Sequence, residues 1–263
     1  MFALIIGIDD YQLNDIHPLC GPVADARAVA TYLQDRLKAP RDHIAILENE
    51  SATRAAILQE LRRLANDSRI QRGDPIVIFF AGHGSEAAAP PEWETGGANT
   101  DVQLTLPHDV YCKSGGKVVA PIPDRTLGAL IEAIAREKGD NILLIVDSCY
   151  STSGKGFSDP SELVRSVPLP SDFQLHGRLD QEIWSLFPTN NGLRSRVLLS
   201  ACGPSDQARE FEGRGRFTAA LLDLLESCQI DKLRYCDIVS RMDINPKYVS
   251  MCLLMSSHFI FVC

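Results

Sequence analysis

Two side chains in this sequence have the types and positions that catalysis by a thiol requires. Cys149 follows the most apolar strand-like run of the chain, residues 141–147, and His83 follows a second such run, residues 74–80. A cysteine attacks as its thiolate, so it needs a nearby base. Alone, a cysteine is more often a small buried hydrophobe, and a histidine between glycines often marks only a turn. Together at two strand ends, they predict a nucleophile, Cys149, with an acid–base partner, His83.

Backbone and carboxylate groups beside this pair fit the same chemistry. The glycines on both sides of His83 allow a tight turn that brings an N–H group close to a substrate carbonyl. Asp147 precedes Cys149 by two residues, so its carboxylate leaves the strand on the same side as the thiol. The sequence therefore predicts a hydrogen-bonding site for negative charge beside the thiol, with a carboxylate next to it.

Alternating strand-like and helical patterns position these residues. The predicted strands cover residues 2–8, 43–47, 74–80, 102–106, 141–147 and 196–201. The predicted helices cover residues 22–37, 53–69, 124–138, 216–226 and 233–241. Strands separated by helices favour a mainly parallel sheet with helices on both faces, and ligands collect at the carboxyl ends of such strands. We therefore expect an α/β fold with His83 and Cys149 on one rim.

Composition and charge narrow the class of protein. The chain has 263 residues, 45% of them hydrophobic, and a net charge of -8. The acidic balance argues against binding to nucleic acid or to an anionic membrane and suits a cationic substrate better. The eight cysteines include no Cys-x-x-Cys pair, and no apolar run approaches the ~20 residues that span a bilayer. We expect reduced thiols, no metal site and a cytoplasmic location, possibly also nuclear.

Four stretches of the sequence share the pattern of one known clan. They are FALIIGI at 2–8, ADAR at 24–27, FFAGHGS at 79–85 and IVDSCYS at 145–151. Together they resemble the caspase/metacaspase clan of cysteine peptidases, and within it the fungal metacaspase-like proteins, over roughly residues 2–240. The resemblance implies a caspase-like three-layer sandwich, with a mainly parallel central sheet and helices on both faces.

The resemblance also implies a role for each site residue. In a cysteine endopeptidase of this clan, Cys149 would attack the peptide carbonyl and His83 would protonate the leaving amine. The N–H groups of Gly84 and Cys149 would hold the oxyanion. Asp25 and Asp147 match acidic positions of the metacaspase pocket that selects Arg or Lys before the scissile bond. Asp25 could instead be an ordinary acidic residue in the first turn of a helix.

The sequence departs from the metacaspase pattern in three places. Tyr150-Ser151-Thr152 stands where metacaspases have His-Ser-Gly, and the lost glycine could crowd the substrate cleft. Ala81 and Pro22 replace a serine and a cysteine of the acidic pocket. The alternative is therefore a catalytically impaired caspase-like module that acts through protein–protein interaction. A nucleotide-binding α/β protein is excluded because the loop after the first strand has too few glycines.

Calcium is the one cofactor that the resemblance raises. Many metacaspases bind it in an acidic loop after the histidine strand, with six to eight oxygen ligands. The corresponding stretch here offers only four scattered carboxylates, Glu92, Glu94, Asp101 and Asp109. We therefore expect no required cofactor and a solvated acidic loop, with a calcium site as the alternative.

The resemblance divides the chain into parts. Residues 1–240 would form one catalytic domain, and residues 241–263 an atypical C-terminal segment. Inside the domain, the large-subunit-like part is 1–150, the linker loop is 151–191 and the small-subunit-like part is 192–240. Long loops in compact domains are usually functional or cleavable. In the linker, self-cleavage could occur after Lys155, Arg165 or Arg178.

The expected partners are protein or peptide substrates with basic residues, and the expected state is a monomer or weak dimer. Programmed cell death is only a family association.

Overall fold

A computed structural model gives the architecture of the chain. The structure describes residues 1–93, 101–150, 163–171, 173–186, 197–201, 207–228, 233, 235–242 and 250–253. The strands are β1 Phe2–Gly7, β2 Ile44–Glu48, β3 Ile76–Ala81, β4 Gly84–Ala88, β5 Asp101–Thr105, β6 Lys113–Ser114, β7 Lys117–Val118, β8 Ile122–Pro123, β9 Ile142–Asp147, β10 Leu163–Val164, β11 Val197–Ser200, β12 Arg209–Phe211, β13 Arg214–Gly215 and β14 Ser250–Leu253. The helices are α1 Pro22–Asp35, α2 Arg54–Asn66, α3 Asp124–Lys138, α4 Gln181–Leu186, α5 Arg216–Ser227 and α6 Tyr235–Arg241.

In the part of the chain that the structure describes, the main sheet contains six strands in the order β14-β11-β9-β3-β1-β2. All neighbouring pairs from β11 to β2 are parallel, and β14 pairs antiparallel with β11 at one edge. In the strand register, Gly7 of β1 pairs with Ala81 of β3, and Ala81 pairs with Asp147 of β9. The carboxyl ends of β1, β3 and β9 therefore lie level, so that the chain segments leaving them share one rim. The predicted α/β class with a mainly parallel sheet and helices on both faces is confirmed.

Alternate residues of the central strands face two separate cores. Leu4, Ile6, Ile78 and Phe80 pack in the core that also holds the apolar faces of α2 and α3. Their neighbours Ala3, Ile5, Val77 and Phe79 pack in the core that holds α1 and α5. Successive side chains of a strand point to opposite faces, so a strand buried on both faces reads as an unbroken apolar run. This explains the continuous apolar patterns of β1 and β3.

Local chemistry sets where the first two long helices begin. Pro22 is the first residue of α1, where its missing N–H leaves no donor unpaired. Gly7 lets α1 lie close to β1, because a Cβ at this position would be 2.8 Å from the Cβ of Ala26. Helix α2 follows Thr53, whose side-chain oxygen accepts a hydrogen bond from the backbone N–H of Ala56 at 3.2 Å. The close approach of α1 carries its first turn to the rim of the sheet.

The described part of the chain also contains three smaller sheets. Strands β4, β5 and β8 form one, β6 and β7 form a hairpin, and β10, β12 and β13 form the third. Strand β10 belongs to the stretch predicted as a linker loop, where no strand pattern is present in the sequence. It is only two residues long, and its register is set by its pairing with β12 rather than by an apolar repeat. No helix within the described part of the chain is long and apolar enough to cross a membrane.

Candidate active site

The structure brings His83 and Cys149 to the same rim. His83 lies two residues after the end of β3, and Cys149 lies two residues after the end of β9. These strands are hydrogen-bonded neighbours, and the N–H of Gly82 donates to the carbonyl oxygen of Asp147 at 3.4 Å. Both residues are buried, with 1% of His83 and 0% of Cys149 exposed. The placement predicted from strand ends thus corresponds to the arrangement of the fold.

Two hydrogen bonds from the loop after β1 hold His83, one at its ring and one at its backbone. Its Nε2 lies 2.8 Å from the carbonyl oxygen of His17, and the backbone N–H of His83 donates to the hydroxyl of Tyr11 at 2.7 Å. A carbonyl oxygen can only accept, so Nε2 must carry the hydrogen. The other ring nitrogen, Nδ1, is buried and has no hydrogen-bond partner among the described residues. In the neutral ring, Nδ1 is therefore an available base.

Burial makes His83 hard to protonate. Loss of solvation lowers the pKa of His83 to about 4; the hydrogen bond to His17 raises it partly, and the positive charge of Arg165 lowers it further. The imidazole is therefore neutral at pH 7. A neutral ring can take a proton from a thiol, whereas an imidazolium could not.

The buried imidazole predicts a dependence of stability on pH. Its pKa is about 4 in the folded chain against an ordinary value of 6.5, so the unfolded chain takes up the proton first as the pH falls. Between about pH 6.5 and pH 4, the folded state should lose about 3 kcal/mol through this group. Denaturant unfolding of the wild type and of His83→Gln at about pH 7, 5.5 and 4 measures the loss. The same pH dependence in both proteins would contradict a neutral, buried His83.

A segment of the chain itself, Leu163–Val167, lies across the rim beside these residues. The carbonyl oxygen of Arg165 accepts hydrogen bonds from the N–H groups of Gly84 and Cys149, both at 3.0 Å. These are the two donors that the sequence predicts for an oxyanion site. The N–H of Arg165 donates to the carbonyl oxygen of Ala208 at 3.0 Å, and that of Val167 donates to the carbonyl oxygen of Gly84 at 3.1 Å. The backbone is thus held on both sides of the Arg165–Ser166 peptide bond.

The side chain of Arg165 fills a pocket of carboxylates and is completely buried. Its Nη2 lies 2.7 Å from Asp25 Oδ2, and its Nη1 lies 3.0 Å from Asp147 Oδ2. A third carboxylate, Glu210, lies 3.2 Å from Nη2. The two acidic residues predicted for a cationic pocket therefore contact one guanidinium, together with a third residue that was not predicted.

Charge balance explains why this pocket holds a cation. Burial raises the pKa of Asp25, and the charge of Arg165 opposes that shift. A buried charge that loses its partner costs about 3–5 kcal/mol. Among the described residues, these three buried carboxylates contact Arg165, and Asp25 also contacts a second cation, Arg214. The Nε of Arg214 lies 2.6 Å from Asp25 Oδ1, and its side chain is 37% exposed. Without a guanidinium in its interior, the pocket would keep uncompensated negative charge.

Residues of β13 and α5 supply one wall of the pocket. The N–H of Gly215 donates to Asp25 Oδ2 at 2.8 Å, and a Cβ on this glycine would lie 2.6 Å from Arg165 Nη1. The hydroxyl and N–H of Thr218 donate to Asp147 Oδ2 at 2.6 and 3.2 Å. Gly215 therefore leaves room for the guanidinium, and Thr218 fixes a carboxylate that binds it.

Tyr150 occupies the position at which the sequence departs from the metacaspase pattern. It is partly buried and packs against the core of α2 and α3. A Cβ added to Gly84 would lie 3.0 Å from its ring. The segment Leu163–Val167 lies in the cleft with Tyr150 in place, so this side chain leaves room for an extended backbone. Ser151 and Thr152 lie outside the described residues.

The carboxylates considered for calcium do not gather at one point in the described part of the chain. Asp109 accepts a hydrogen bond from the N–H of Arg54 at 2.8 Å, Asp101 is exposed on β5, and Glu94 lies outside the described residues. Glu92 instead lies against Gly177. The described residues contain no group of three or more His, Cys, Asp or Glu side chains that could hold a metal ion. The absence of a required cofactor stays a prediction.

The chain is similar to known proteins in its sequence family and in its fold. The caspase domain, a family of cysteine peptidases, matches residues 1–244. No curated protein matches the chain. A crystal structure of a Geobacter sulfurreducens protein, determined as a structural-genomics target, superposes with a TM-score of 0.67 at 17% identity, over 95% of this chain and 92% of that one. At this identity the likeness shows a shared fold.

Proposed function

Because the chain belongs to the caspase domain family of cysteine peptidases, we propose that it is an endopeptidase that uses Cys149 and His83 to cleave peptide bonds after Arg or Lys. The position of Arg165 carries this proposal. Its carbonyl oxygen accepts from the N–H groups of Gly84 and Cys149, while its guanidinium contacts Asp25. A substrate of a basic-specific peptidase must meet both conditions at once, a polarised carbonyl beside the thiol and a charged side chain in an acidic pocket.

The proposed reaction follows the usual course of thiol catalysis. Nδ1 of His83 takes the proton of the Cys149 thiol, and the sulfur forms a bond to the carbonyl carbon of the basic residue. The oxyanion is held by the N–H groups of Gly84 and Cys149. The carbon–nitrogen bond breaks as His83 returns the proton to the leaving amine. Water, deprotonated by His83, then attacks the thioester, which releases the new carboxylate and restores the thiol.

The first substrate in this account is the chain itself. Of the three linker residues predicted as self-cleavage points, Arg165 is completely buried in the pocket and Arg178 is exposed, while Lys155 lies outside the described residues. We therefore assign self-cleavage to the Arg165–Ser166 bond. Until it is cut, the segment Leu163–Val167 fills the cleft and competes with any other substrate.

Reporter peptides test the proposed specificity. Peptides with Arg, Lys or Asp before the reporter group would be given to the wild type, and we expect release from the Arg and Lys peptides after a lag. The lag follows because the cleft of the intact chain holds its own segment. The Asp peptide should remain uncut, since its carboxylate would meet the carboxylates of Asp25, Asp147 and Glu210.

Two cysteine variants show whether Cys149 is the nucleophile. Cys149→Ala should abolish release from all peptides, whereas Cys112→Ala, a partly buried cysteine outside the site, should match the wild type. Release from the Asp peptide in preference to Arg and Lys would refute the acidic pocket. Failure of the wild type to cut any peptide would favour the alternative, a module that acts through protein–protein interaction.

A further inference from the structure

We propose that Glu210 is a specificity-determining residue that makes the pocket select Arg over Lys. This inference rests on the proposed function and concerns the same site. Glu210 is 2% exposed and lies on β12, far along the chain from the other two carboxylates of the pocket. It is the one carboxylate of the three that contacts the guanidinium at Nε as well as at a terminal nitrogen.

Glu210 is held in place by the protein backbone. One carboxylate oxygen, Oε1, accepts from the N–H of Cys20 at 2.7 Å, and the other, Oε2, lies 3.2 Å from the N–H of Gly21. A side chain fixed by two backbone donors cannot swing away when a different substrate enters. Its Oε2 therefore stays where Arg165 presents Nε, at 3.3 Å.

Together, the three carboxylates contact all three nitrogens of the guanidinium. Asp25 contacts Nη2, Asp147 contacts Nη1, and Glu210 contacts Nη2 and Nε. This division uses the planar fork of arginine, in which each nitrogen carries a donor pointing in a different direction. It leaves no nitrogen of the guanidinium without a carboxylate.

A lysine in the same pocket would make fewer hydrogen bonds to the three carboxylates. Its single ammonium nitrogen lies at the end of the chain, and a methylene group takes the position of the arginine Nε. Glu210 Oε2 would then face a carbon atom in place of Nε and would keep the N–H of Gly21 as a donor. A buried carboxylate that loses a charge-assisted hydrogen bond in this way is less well satisfied. Gly21 leaves room for the terminal nitrogen of the arginine, since a Cβ on this residue would lie 2.7 Å from Arg165 Nη2. The geometry therefore favours Arg and penalises Lys.

The ratio of two rates tests the role of Glu210. Matched peptides that differ only in Arg or Lys before the reporter would be compared by kcat/KM, once self-cleavage is complete. For the wild type we expect a preference for Arg of about tenfold or more, the size of one charge-assisted hydrogen bond. Glu210→Gln should reduce this preference to about threefold or less, mainly by slowing the Arg peptide.

Two further variants separate this role from a structural one. Glu212→Gln changes an exposed residue of the same hairpin and should keep the wild-type preference. Glu210→Asp should give an intermediate preference, and a ratio of rates does not depend on the fraction of the variant that is folded.

Three results would overturn the proposal. They are equal hydrolysis of both peptides by the wild type, an equal loss for both peptides in Glu210→Gln, and no hydrolysis of either peptide by the wild type. The first two leave the proposed function intact, whereas the third removes it as well.

Discussion

Gly84→Ala is expected to slow peptide hydrolysis by about 100- to 1,000-fold, the usual loss when one oxyanion donor is displaced. A Cβ at this position would overlap the carbonyl oxygen of Cys149 and lie 3.0 Å from the ring of Tyr150. The backbone of residue 84 must then move, and its N–H moves with it. That N–H is one of the two donors to the carbonyl oxygen of Arg165. In the proposed reaction it holds the oxyanion, so the rate should fall even though the thiol is unchanged.

Gly128→Ala is the matched control for this prediction. Gly128 lies inside α3, and a Cβ there would meet no atom within 4 Å. Alanine in a helix is favoured over glycine by about 1 kcal/mol, so this variant should unfold at a slightly higher temperature and keep its activity. Steady-state kinetics with the Arg peptide, together with thermal unfolding, would be measured for both variants. Full activity of a folded Gly84→Ala protein would rule out this N–H as an oxyanion donor.

The sequence alone was sufficient to predict which residues lie together on the rim of the sheet. A parallel sheet delivers the carboxyl ends of its strands to one edge, so two reactive residues that each follow an apolar strand must come close together. His83 and Cys149 meet this condition through β3 and β9, which are paired in register. Asp25 joins them because α1 packs closely on β1 at Gly7. Such inferences need only strand ends and helix starts, which local patterns in sequence can give.

Other parts of the site leave no local trace in the sequence. His17 contributes its backbone carbonyl to His83, and any residue type would present the same group. Glu210 reaches the pocket by pairing across the chain with Cys20 and Gly21, which no periodicity within β12 can reveal. For these residues, tertiary contacts alone determine the role.

The structure around Arg165 could not be predicted from the sequence, although it says most about the site. Its surroundings look like a loop, because two residues of strand are too few to give an alternating pattern. Only the structure shows that Val164 pairs with Arg209 and that Arg165 enters the pocket. Of the two predicted cleavage points that the structure describes, Arg165 is the one whose carbonyl oxygen accepts hydrogen bonds from the N–H groups of Gly84 and Cys149.

We expect the wild-type chain to cleave itself after Arg165. The carbonyl oxygen of Arg165 already accepts hydrogen bonds from the N–H groups of Gly84 and Cys149, so the reaction needs no encounter between molecules. Its rate should therefore be first order and independent of protein concentration. Cys149→Ala should abolish it, and Arg165→Gln should abolish it at this bond. Arg178→Ala, which changes an exposed arginine of the same linker, should leave it unchanged.

Mass spectrometry of the freshly purified chain, incubated at pH 7, shows whether the thiol of Cys149 cleaves the bond after Arg165. In the wild type, the intact mass should disappear and two fragments, residues 1–165 and 166–263, should take its place, while Cys149→Ala keeps its full mass under the same conditions. A wild-type chain that remains intact, or the same two fragments from Cys149→Ala, would disprove self-cleavage by Cys149.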